Sequence, residues 1–230
     1  VLLRTGLPIG ETNAIRAALD RWKGGGLGHL LPPGSRAIVL SDVPGWGPDV
    51  VASGPLSPPR PLPRLPPGLR PHVLDHLRRW SPPPPPPPIP LVVAADNAAV
   101  RRAVVRAARA RGVTLADVVQ PFHGEARTLG AAAGRTPDAS VAGGESTVLL
   151  PSISHGTGGR NQEVALGAFD GHGLVLALAT DGVDGPSKSA GALMDDAVRS
   201  RARTLGLDAA AALARHDADP FFRAAGGRLQ

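Results

Sequence analysis

Two glycine-flanked charged clusters lie within the stretch from Ser154 to Gly191. Residues 158–163 read Gly-Gly-Arg-Asn-Gln-Glu, and residues 180–185 read Thr-Asp-Gly-Val-Asp-Gly. Paired glycines let backbone N–H groups approach a ligand closely, and the N-terminus of a following helix attracts anions. Arg160 adds a planar, permanently charged fork that suits phosphate or carboxylate oxygens. The first cluster is therefore predicted to bind an anion, with Asn161 as the helix cap.

The elements around these clusters are predicted from the apolar pattern. Residues 164–166 and Phe169 supply the buried face of a helix, and residues 174–179 form a short apolar strand. The second cluster then forms the loop at the carboxyl end of that strand, where ligands of open α/β sheets usually bind. Asp181 and Asp184 in this loop are suited to hold magnesium or to position a hydroxyl group. An ordinary Asp-Gly turn has the same composition, so both interpretations stay open.

Two further glycine-flanked sites lie in the first part of the chain. Lys23 precedes three glycines, an arrangement suited to phosphate contact, although a glycine helix end beside a dipole-facing lysine is the commoner explanation. A helix is expected before it, over residues 14–22. Asp42 follows a short apolar strand predicted at residues 37–40, and a turn aspartate is the alternative there.

A proline-rich section covers residues 55–90 and includes an unbroken run from Pro82 to Pro88. We expect no regular helix or sheet interior in this section, because proline removes a backbone donor. A polyproline II rod of this length spans roughly 20 Å at about 3.1 Å per residue, which predicts a semi-rigid spacer. A ligand for proline-binding modules is the alternative.

The remaining pattern predicts a β-α-β unit and the elements that follow it. A strand at residues 91–95, a helix at 97–111 and a strand at 118–121 imply parallel pairing. The helix would turn Val100, Val104 and Ala108 inward. Three further elements are predicted: a helix from Phe122 to Ala133, a strand at 148–150 and a helix at 190–205.

The composition excludes several classes of protein. A chain of 230 residues with 42% hydrophobic content can form one large or two small globular domains. It has no cysteine, so disulfides and thiolate metal sites are excluded. No apolar run approaches the roughly 20 residues of a membrane helix, and no signal peptide is seen, so a cytoplasmic location without a membrane partner is expected. Because the chain starts at Val1, we also expect a fragment or a trimmed product.

The net charge of +6 would normally indicate nucleic acid as a partner. Nearly all basic residues are arginines, however, and they are scattered among Ala, Gly and Pro without aromatic residues between them. Nucleic-acid binding is therefore not expected.

Several motifs, taken together and in this order, resemble the glycerate 2-kinase family, whose second half is the MOFRL domain. The matching residues are Lys23-Gly24-Gly25, residues 41–45 with 52–55, Gly124-Glu125-Ala126-Arg127, Gly143-Gly144-Glu145 with Thr147-Val148, residues 158–163, and residues 180–185 with Ala190-Gly191-Ala192. The resemblance implies two α/β domains with largely parallel sheets flanked by helices, the first incomplete. Residues 1–138 would form a partial N-terminal domain with a proline-rich insert at 55–90, and residues 139–230 a MOFRL-like domain without its final tail.

The resemblance also implies an activity, the transfer of the γ-phosphoryl group of ATP to the 2-hydroxyl of D-glycerate with Mg²⁺, in a cleft between the two domains. Arg160, Lys23 and Asp181 would be catalytic: Arg160 would neutralise the phosphoryl group or clamp the glycerate carboxylate, and Lys23 would assist. Asp42 and Asp181 are the candidate metal ligands. The residues implied in substrate or nucleotide binding are Gly24, Gly25, Ser41, Asp42, Gly143, Gly144, Glu145, Gly158, Gly159, Asn161, Glu163, Gly182, Asp184, Gly185 and Gly191.

Other functions remain as alternatives. Members of the family begin with a segment that carries a glycine-lysine loop and a Ser-Gly-Gly-rich loop, and they end in Gly-Pro-Thr-Gly-Thr-Asn; this sequence contains neither. A non-catalytic domain that binds a nucleotide or an organic acid is therefore the second hypothesis. A hydroxypyruvate reductase-like oxidoreductase is the third, although no G-x-G-x-x-G follows a strand, and no G-x-x-x-x-G-K-[ST] motif is present.

Overall fold

A computed structural model describes residues 7–41, 51–120, 122–151 and 155–230. The chain divides into two compact units, residues 1–100 and 101–230. Each unit combines helices with strands, and parallel strand pairs occur in both, so the α/β class is confirmed. The domain boundary expected between residues 138 and 139 stays a prediction.

Among its described residues, the first unit is built on one parallel strand pair and two complete helices. Its elements are α1 (Ile9–Leu19), β1 (Ala37–Ser41), α2 (Pro71–Arg79) and β2 (Leu91–Asp96), with short 3-10 turns at Gly28–Leu30 and Val51–Ser53. β1 pairs with β2, with Ala37 opposite Leu91 and Ser41 opposite Asp96. The core of the unit is small and centres on Ile15, Ala18, Leu69 and Leu77. The strands predicted at 37–40 and 91–95 are confirmed, whereas the first helix begins and ends earlier than predicted.

The proline-rich section contains a helix, which contradicts the expectation that it holds none. Pro71 occupies the start of α2, where a backbone N–H would have no partner within the helix, so the lack of one costs no hydrogen bond. No proline follows within the helix. The run from Pro82 to Pro88 packs against the glycine turn after α1. A methyl group at Gly28 would lie 2.7 Å from Cβ of Pro86, and His29 Nε2 lies 3.0 Å from the carbonyl oxygen of Pro84. The run is therefore packed against its own unit and is not a detached spacer.

In the described part of the second unit there are one antiparallel sheet, two short parallel strand pairs and most of the helices. Its helices are the greater part of α3 (Asn97–Arg109), then α4 (Ala126–Ala133), α5 (Arg160–Gly167), α6 (Asp196–Thr204), α7 (Ala209–Ala214) and α8 (Ala218–Ala225). Its strands are β3 (Ala116–Asp117), β4 (Gly124–Glu125), β5 (Ser140–Val141), β6 (Ser146–Thr147), β7 (Val175–Leu178), β8 (Gly191–Met194) and β9 (Arg228–Leu229). β3 pairs with β5 and β4 with β6, both parallel, and β7, β8 and β9 form the antiparallel sheet.

Helix α5 lies at the centre of the second unit. Its residues Val164, Ala165 and Leu166 are buried, as predicted, and they pack in or beside a core that includes Met194 and Phe222. Helix α4 approaches α5 so closely that a methyl group at Gly130 would lie 1.9 Å from the carbonyl oxygen of Val164. Glycine is therefore required at this crossing.

Several predicted elements differ from those observed in the described residues. Residues 190–205 are not one helix, because residues 191–194 pair with β7 as strand β8 before α6 begins. The strands predicted at 118–121 and 148–150 occur instead at 116–117 and 146–147, and β2 pairs with β1 and not with the strand after α3. The predicted helix from Phe122 begins only at Ala126, after strand β4.

The inward face predicted for α3 is also wrong. Val100 and Val104 are 43% and 41% exposed, whereas Arg101 is buried. The Nε atom of Arg101 donates to the Asp117 carboxylate at 2.5 Å, and this ion pair makes burial of the guanidinium possible. Among the described residues, no helix has the length and apolar character that a membrane span requires.

Candidate functional site

Arg160 and Glu145 join two of the glycine-flanked motifs. Arg160 is the first residue of α5, and its Nη1 atom donates to Glu145 Oε1 at 2.6 Å and to the Ser146 carbonyl oxygen at 3.1 Å. The Arg160 side chain is 48% exposed and that of Glu145 is 60% exposed. The pair thus fixes one end of the guanidinium while leaving about half of the side chain accessible to a ligand.

Asp184 joins the second charged cluster to the first. Its carboxylate is buried and accepts the backbone N–H groups of Asn161 at 3.0 Å and Gln162 at 2.8 Å, together with the side-chain amide of Asn161 at 3.0 Å. A carboxylate at this position caps the helix and interacts favourably with its dipole. The residue at the N-cap is Gly159, so Asn161 is not the cap residue, and the capping group comes from a distant loop.

Three consecutive backbone N–H groups stand at the start of α5. In the part of the chain that the structure describes, the N–H groups of Gly158, Gly159 and Arg160 have no hydrogen-bond acceptor. They come directly before the two N–H groups that Asp184 already occupies, and the third of them belongs to Arg160 itself. Unpaired N–H groups at a helix N-terminus favour an anion. The first cluster thus offers three neutral donors and one cationic group to an anionic ligand.

Asp181 lies on an exposed turn. Its Oδ1 accepts the N–H of Val183 at 3.0 Å, which is an Asx turn, and positive φ angles at Gly182 (83°) and Gly185 (60°) let the chain reverse. Gly191 also has a positive φ angle, at the start of β8. Within the described ranges, no group of three or more histidine and carboxylate side chains is placed to hold a metal.

The Asp181 turn offers a single carboxylate oxygen, and no preformed cluster of ligands in the described ranges, to the magnesium ion expected from the sequence. Magnesium is commonly held through one or two carboxylates and keeps several waters. Only one oxygen of Asp181 has a protein partner in the described region, so the other can face an ion. Asp184 does not fit this role, because protein donors already surround its buried carboxylate. Asp42, the other candidate ligand, lies outside the described residues.

Glu163 lies in the interior of the unit. It is 3% exposed, and its Oε1 lies 2.6 Å from Nδ1 of His216. Arg127 Nη2 lies 3.8 Å from its other oxygen, and Arg127 also pairs with Glu125. The Gly124–Arg127 motif therefore meets α5 through Glu163. These contacts connect α4, α5 and the turn before α8, and they point away from a ligand role for Glu163.

A second buried network beside the first turn of α5 was not predicted from the sequence. Gln162 Nε2 donates to Ser189 Oγ at 3.0 Å and to Asp219 Oδ1 at 3.1 Å. The carboxylate of Asp219 also accepts hydrogen bonds from Nη2 of Arg223 at 2.6 Å and from Nε of Arg228 at 2.9 Å. Burial raises the pKa of Asp219, but the hydrogen bonds from Arg223 and Gln162 and the charge of Arg228 outweigh it, so the pKa lies below its usual value. The only sequence signal was an acidic residue within the alanine-rich tail.

Lys23 and its glycines have protein partners in the first unit. The Lys23 ammonium forms an ion pair with Asp20. The hydrogen bond from Lys23 is the main cause that lowers the pKa of Asp20, and the hydrogen bond from the Trp22 N–H is the second. The N–H groups of Gly24 and Gly25 donate to the carbonyl oxygens of residues 53 and 54 at 3.2 and 2.8 Å. These two N–H groups are thus occupied by backbone. Ser41 ends β1 and is buried.

The glycines before Glu145 allow a close backbone approach. A methyl group at Gly144 would lie 2.3 Å from the carbonyl oxygen of Phe122, and the Gly143 carbonyl accepts the Phe122 N–H at 3.2 Å. These contacts fix the chain just before the residue that pairs with Arg160.

Comparisons with known proteins cover both units. The MOFRL family matches residues 138–230, and a domain of unknown function (DUF4147) matches residues 1–64. A protein of Agrobacterium vitis named as a hydroxypyruvate reductase is 33% identical over 97% of this chain and 66% of its own length. The glycerate 2-kinase of Pyrococcus horikoshii is 29% identical over 100% of this chain and 60% of its own length.

A solved structure shows the same fold. The crystal structure of glycerate kinase from Thermotoga maritima matches with a TM-score of 0.79 and 25% identity, over 99% of this chain and 61% of that chain. The chain thus spans about three fifths to two thirds of the length of these relatives.

Proposed function

The chain belongs to the glycerate 2-kinase family, and we propose that it acts in the ATP-dependent phosphorylation of D-glycerate to 2-phosphoglycerate. The observation that carries the proposal is the start of α5. There Arg160, with a half-exposed side chain, begins the helix, and the three N–H groups of residues 158–160 have no acceptor within the described ranges. Both substrates of this reaction are anions, and this is where the second unit can bind one.

Arg160 is the proposed catalytic residue. Phosphoryl transfer depends on positioning and on neutralising negative charge more than on covalent chemistry by the protein. Nη1 of Arg160 is held by Glu145 and by the Ser146 carbonyl, so the guanidinium has a defined direction while its other N–H groups can bind ligand oxygens. It would hold either a phosphate oxygen of ATP or the carboxylate of glycerate. The N–H groups of Gly158 and Gly159 would bind the same anion.

The other predicted site residues keep supporting roles in this proposal. Asp181 would hold a magnesium ion through its second oxygen or orient the substrate hydroxyl, and magnesium would supply charge neutralisation on the phosphate oxygens. Lys23 would assist through its ammonium group, which the ion pair with Asp20 holds at the end of the first helix. Gly143, Gly144, Gly182 and Gly185 would shape the backbone around the charged residues.

A coupled ADP-release assay with D-glycerate, ATP and Mg²⁺ tests the proposal. We expect glycerate-dependent turnover by the chain, a fall in kcat/KM of about 100-fold or more for Arg160→Gln, and no change for the matched control Arg135→Gln, an exposed arginine in the same unit. A rise in KM for only one substrate would identify the anion that Arg160 holds. A chain that binds ATP but releases no glycerate-dependent ADP would instead support the non-catalytic binding hypothesis.

The same preparations decide between this activity and the reductase named for some relatives. Oxidation of NADH or NADPH in the presence of hydroxypyruvate is followed by absorbance. We expect none, because no dinucleotide-binding glycine motif follows a strand in this sequence.

A further inference from the structure

The contact between Asp184 and Gly159 leaves no room for a side chain. A methyl group at Gly159 would lie 2.2 Å from Cγ of Asp184 and 2.3 Å from its carbonyl oxygen. A methyl group at Gly185 would lie 3.0 Å from the carbonyl oxygen of Gly158, and Gly185 has a φ angle of 60°. The two charged clusters thus touch backbone to backbone, with a glycine on each side of the contact.

The loop that carries Asp184 is itself held in place. The Asp184 N–H donates to the carbonyl oxygen of Ser189 at 2.7 Å, and its own carbonyl oxygen accepts the hydroxyl of Ser187 at 2.7 Å. Both serines are buried. Ser189 Oγ also accepts the side-chain amide of Gln162, so the loop and α5 are joined a second time. Asp184 therefore reaches α5 from a loop with little freedom to move.

The carboxylate of Asp184 has its acceptor capacity engaged by protein donors. Oδ1 receives the N–H and the side-chain amide of Asn161, and Oδ2 receives the N–H of Gln162. The residue is 2% exposed. A carboxylate that is almost completely buried and holds three protein donors is not accessible to a magnesium ion with its waters. What it does control is the backbone of the two residues that directly follow Arg160.

We propose that Asp184 is a positioning residue that acts through the first turn of α5 and is not a ligand of metal or substrate. By occupying the N–H groups of residues 161 and 162, it confines an incoming anion to those of residues 158–160 and sets the direction in which Arg160 leaves the helix. Gly159 is its required partner. This inference rests on the proposed function, because it assigns a role to Asp184 in the binding of that anion.

A double-mutant cycle between Asp184 and Arg160 tests the proposal. We expect Asp184→Asn, which keeps one acceptor but loses the bond to the Gln162 N–H, to lower kcat/KM at least tenfold. The variant carrying both Asp184→Asn and Arg160→Gln should lose less than the product of the two single losses, because Asp184 acts partly through the orientation of Arg160. The Mg²⁺ concentration for half-maximal activity should not change. Losses that multiply in the double variant, or a raised Mg²⁺ requirement, would overturn the proposal.

Two further measurements, one of folding and one of ligand binding, allow the double-mutant cycle to be interpreted whichever way the variants behave. Circular dichroism and thermal unfolding identify a variant that fails to fold, in which case Asp184→Ser, which keeps a short capping acceptor, takes its place in the cycle. Calorimetric titration of all four proteins with ATP and with D-glycerate repeats the cycle without turnover. If the chain binds either ligand but transfers no phosphoryl group, the proposed activity fails and the affinities decide the role of Asp184. If the chain shows no turnover and binds neither ligand, the proposed activity and the proposed role of Asp184 are both overturned.

Discussion

The guanidinium of Arg160 donates to the carboxylate of Glu145 at 2.6 Å, and both side chains are about half exposed. The pair connects the start of α5 to strand β6, whose first residue, Ser146, accepts the same nitrogen through its carbonyl oxygen. Its geometry is defined, but water competes for both charges. The pair is therefore better suited to orienting Arg160 than to stabilising the fold.

Replacing Glu145 with glutamine should change stability very little. Exposed ion pairs contribute up to about 1 kcal/mol, and the glutamine oxygen can still accept from Arg160. We expect the free energy of unfolding of Glu145→Gln, measured by urea denaturation, to differ from that of the unmodified chain by less than about 1 kcal/mol. A loss of several kcal/mol would show that the pair is a structural element of the unit.

Adding one methyl group at Gly130 should destabilise the second unit. The new carbon would lie 1.9 Å from the carbonyl oxygen of Val164, so α4 and α5 would have to separate. We expect Gly130→Ala to lower the free energy of unfolding by about 3 kcal/mol. The matched control is Gly10→Ala in α1, where the nearest atom is the end of the Arg60 side chain at 3.3 Å. It should be neutral or stabilising, because alanine favours helix. Similar losses at both positions would contradict the close packing of α4 on α5.

Asp219 should make stability depend on acid pH. Its pKa lies below 3.8 in the folded chain, because the hydrogen bonds from Arg223 and Gln162 and the charge of Arg228 outweigh burial. A depressed folded pKa contributes stability that is fully present above the unfolded pKa and is lost as the pH falls through the folded value. We therefore expect the free energy of unfolding to fall below about pH 4, and Asp219→Asn to weaken this dependence.

Urea denaturation of Asp219→Asn between neutral and acid pH provides the measurement. At neutral pH the variant should lose about 2 kcal/mol, the typical contribution of hydrogen bonds to a charged group. The control is Asp170→Asn, since Asp170 is exposed. It should change neither the stability at neutral pH nor the acid dependence. An unchanged acid dependence in Asp219→Asn would refute the assignment to this carboxylate.

Lys23 can be tested against its own ion-pair partner. Lys23→Gln and Asp20→Asn break the same contact, but only the first removes the ammonium group. If Lys23 assists phosphoryl transfer, Lys23→Gln should lower kcat/KM about tenfold, whereas Asp20→Asn should stay close to the unmodified chain. Equal effects of the two variants in the ADP-release assay would assign Lys23 to the end of α1 alone.

The elements predicted most successfully are those with a strong local signal. The strands at 37–40 and 91–95 and the buried face of α5 were predictable from short apolar runs, because such runs are a local signal of strand or helix. The segment 191–194 was predicted as part of a helix over residues 190–205. Antiparallel pairing with residues 175–178 decided otherwise, since tertiary contacts override weak propensity.

The candidate site was predictable as a set of motifs but not as a set of contacts. The sequence identified Arg160, Glu145 and Asp184 as candidate site residues, yet it gave no indication that Asp184 caps a helix 22 residues earlier in the chain. The ion pair of the buried Arg101 with Asp117 was not predicted for the same reason. Partners this far apart in sequence leave no periodic trace, and polar side chains buried by pairing look like solvent-exposed ones.

The proline run against the glycine turn has a consequence for conformational entropy. Each proline in the run from Pro82 to Pro88 already has its φ angle fixed in the unfolded chain, so packing Pro86 against Gly25 and Gly28 restricts few additional torsions. The glycines on the other side of the contact lose more freedom than any other residue type when they become ordered. The entropic cost of this contact therefore falls almost wholly on the turn and hardly at all on the prolines.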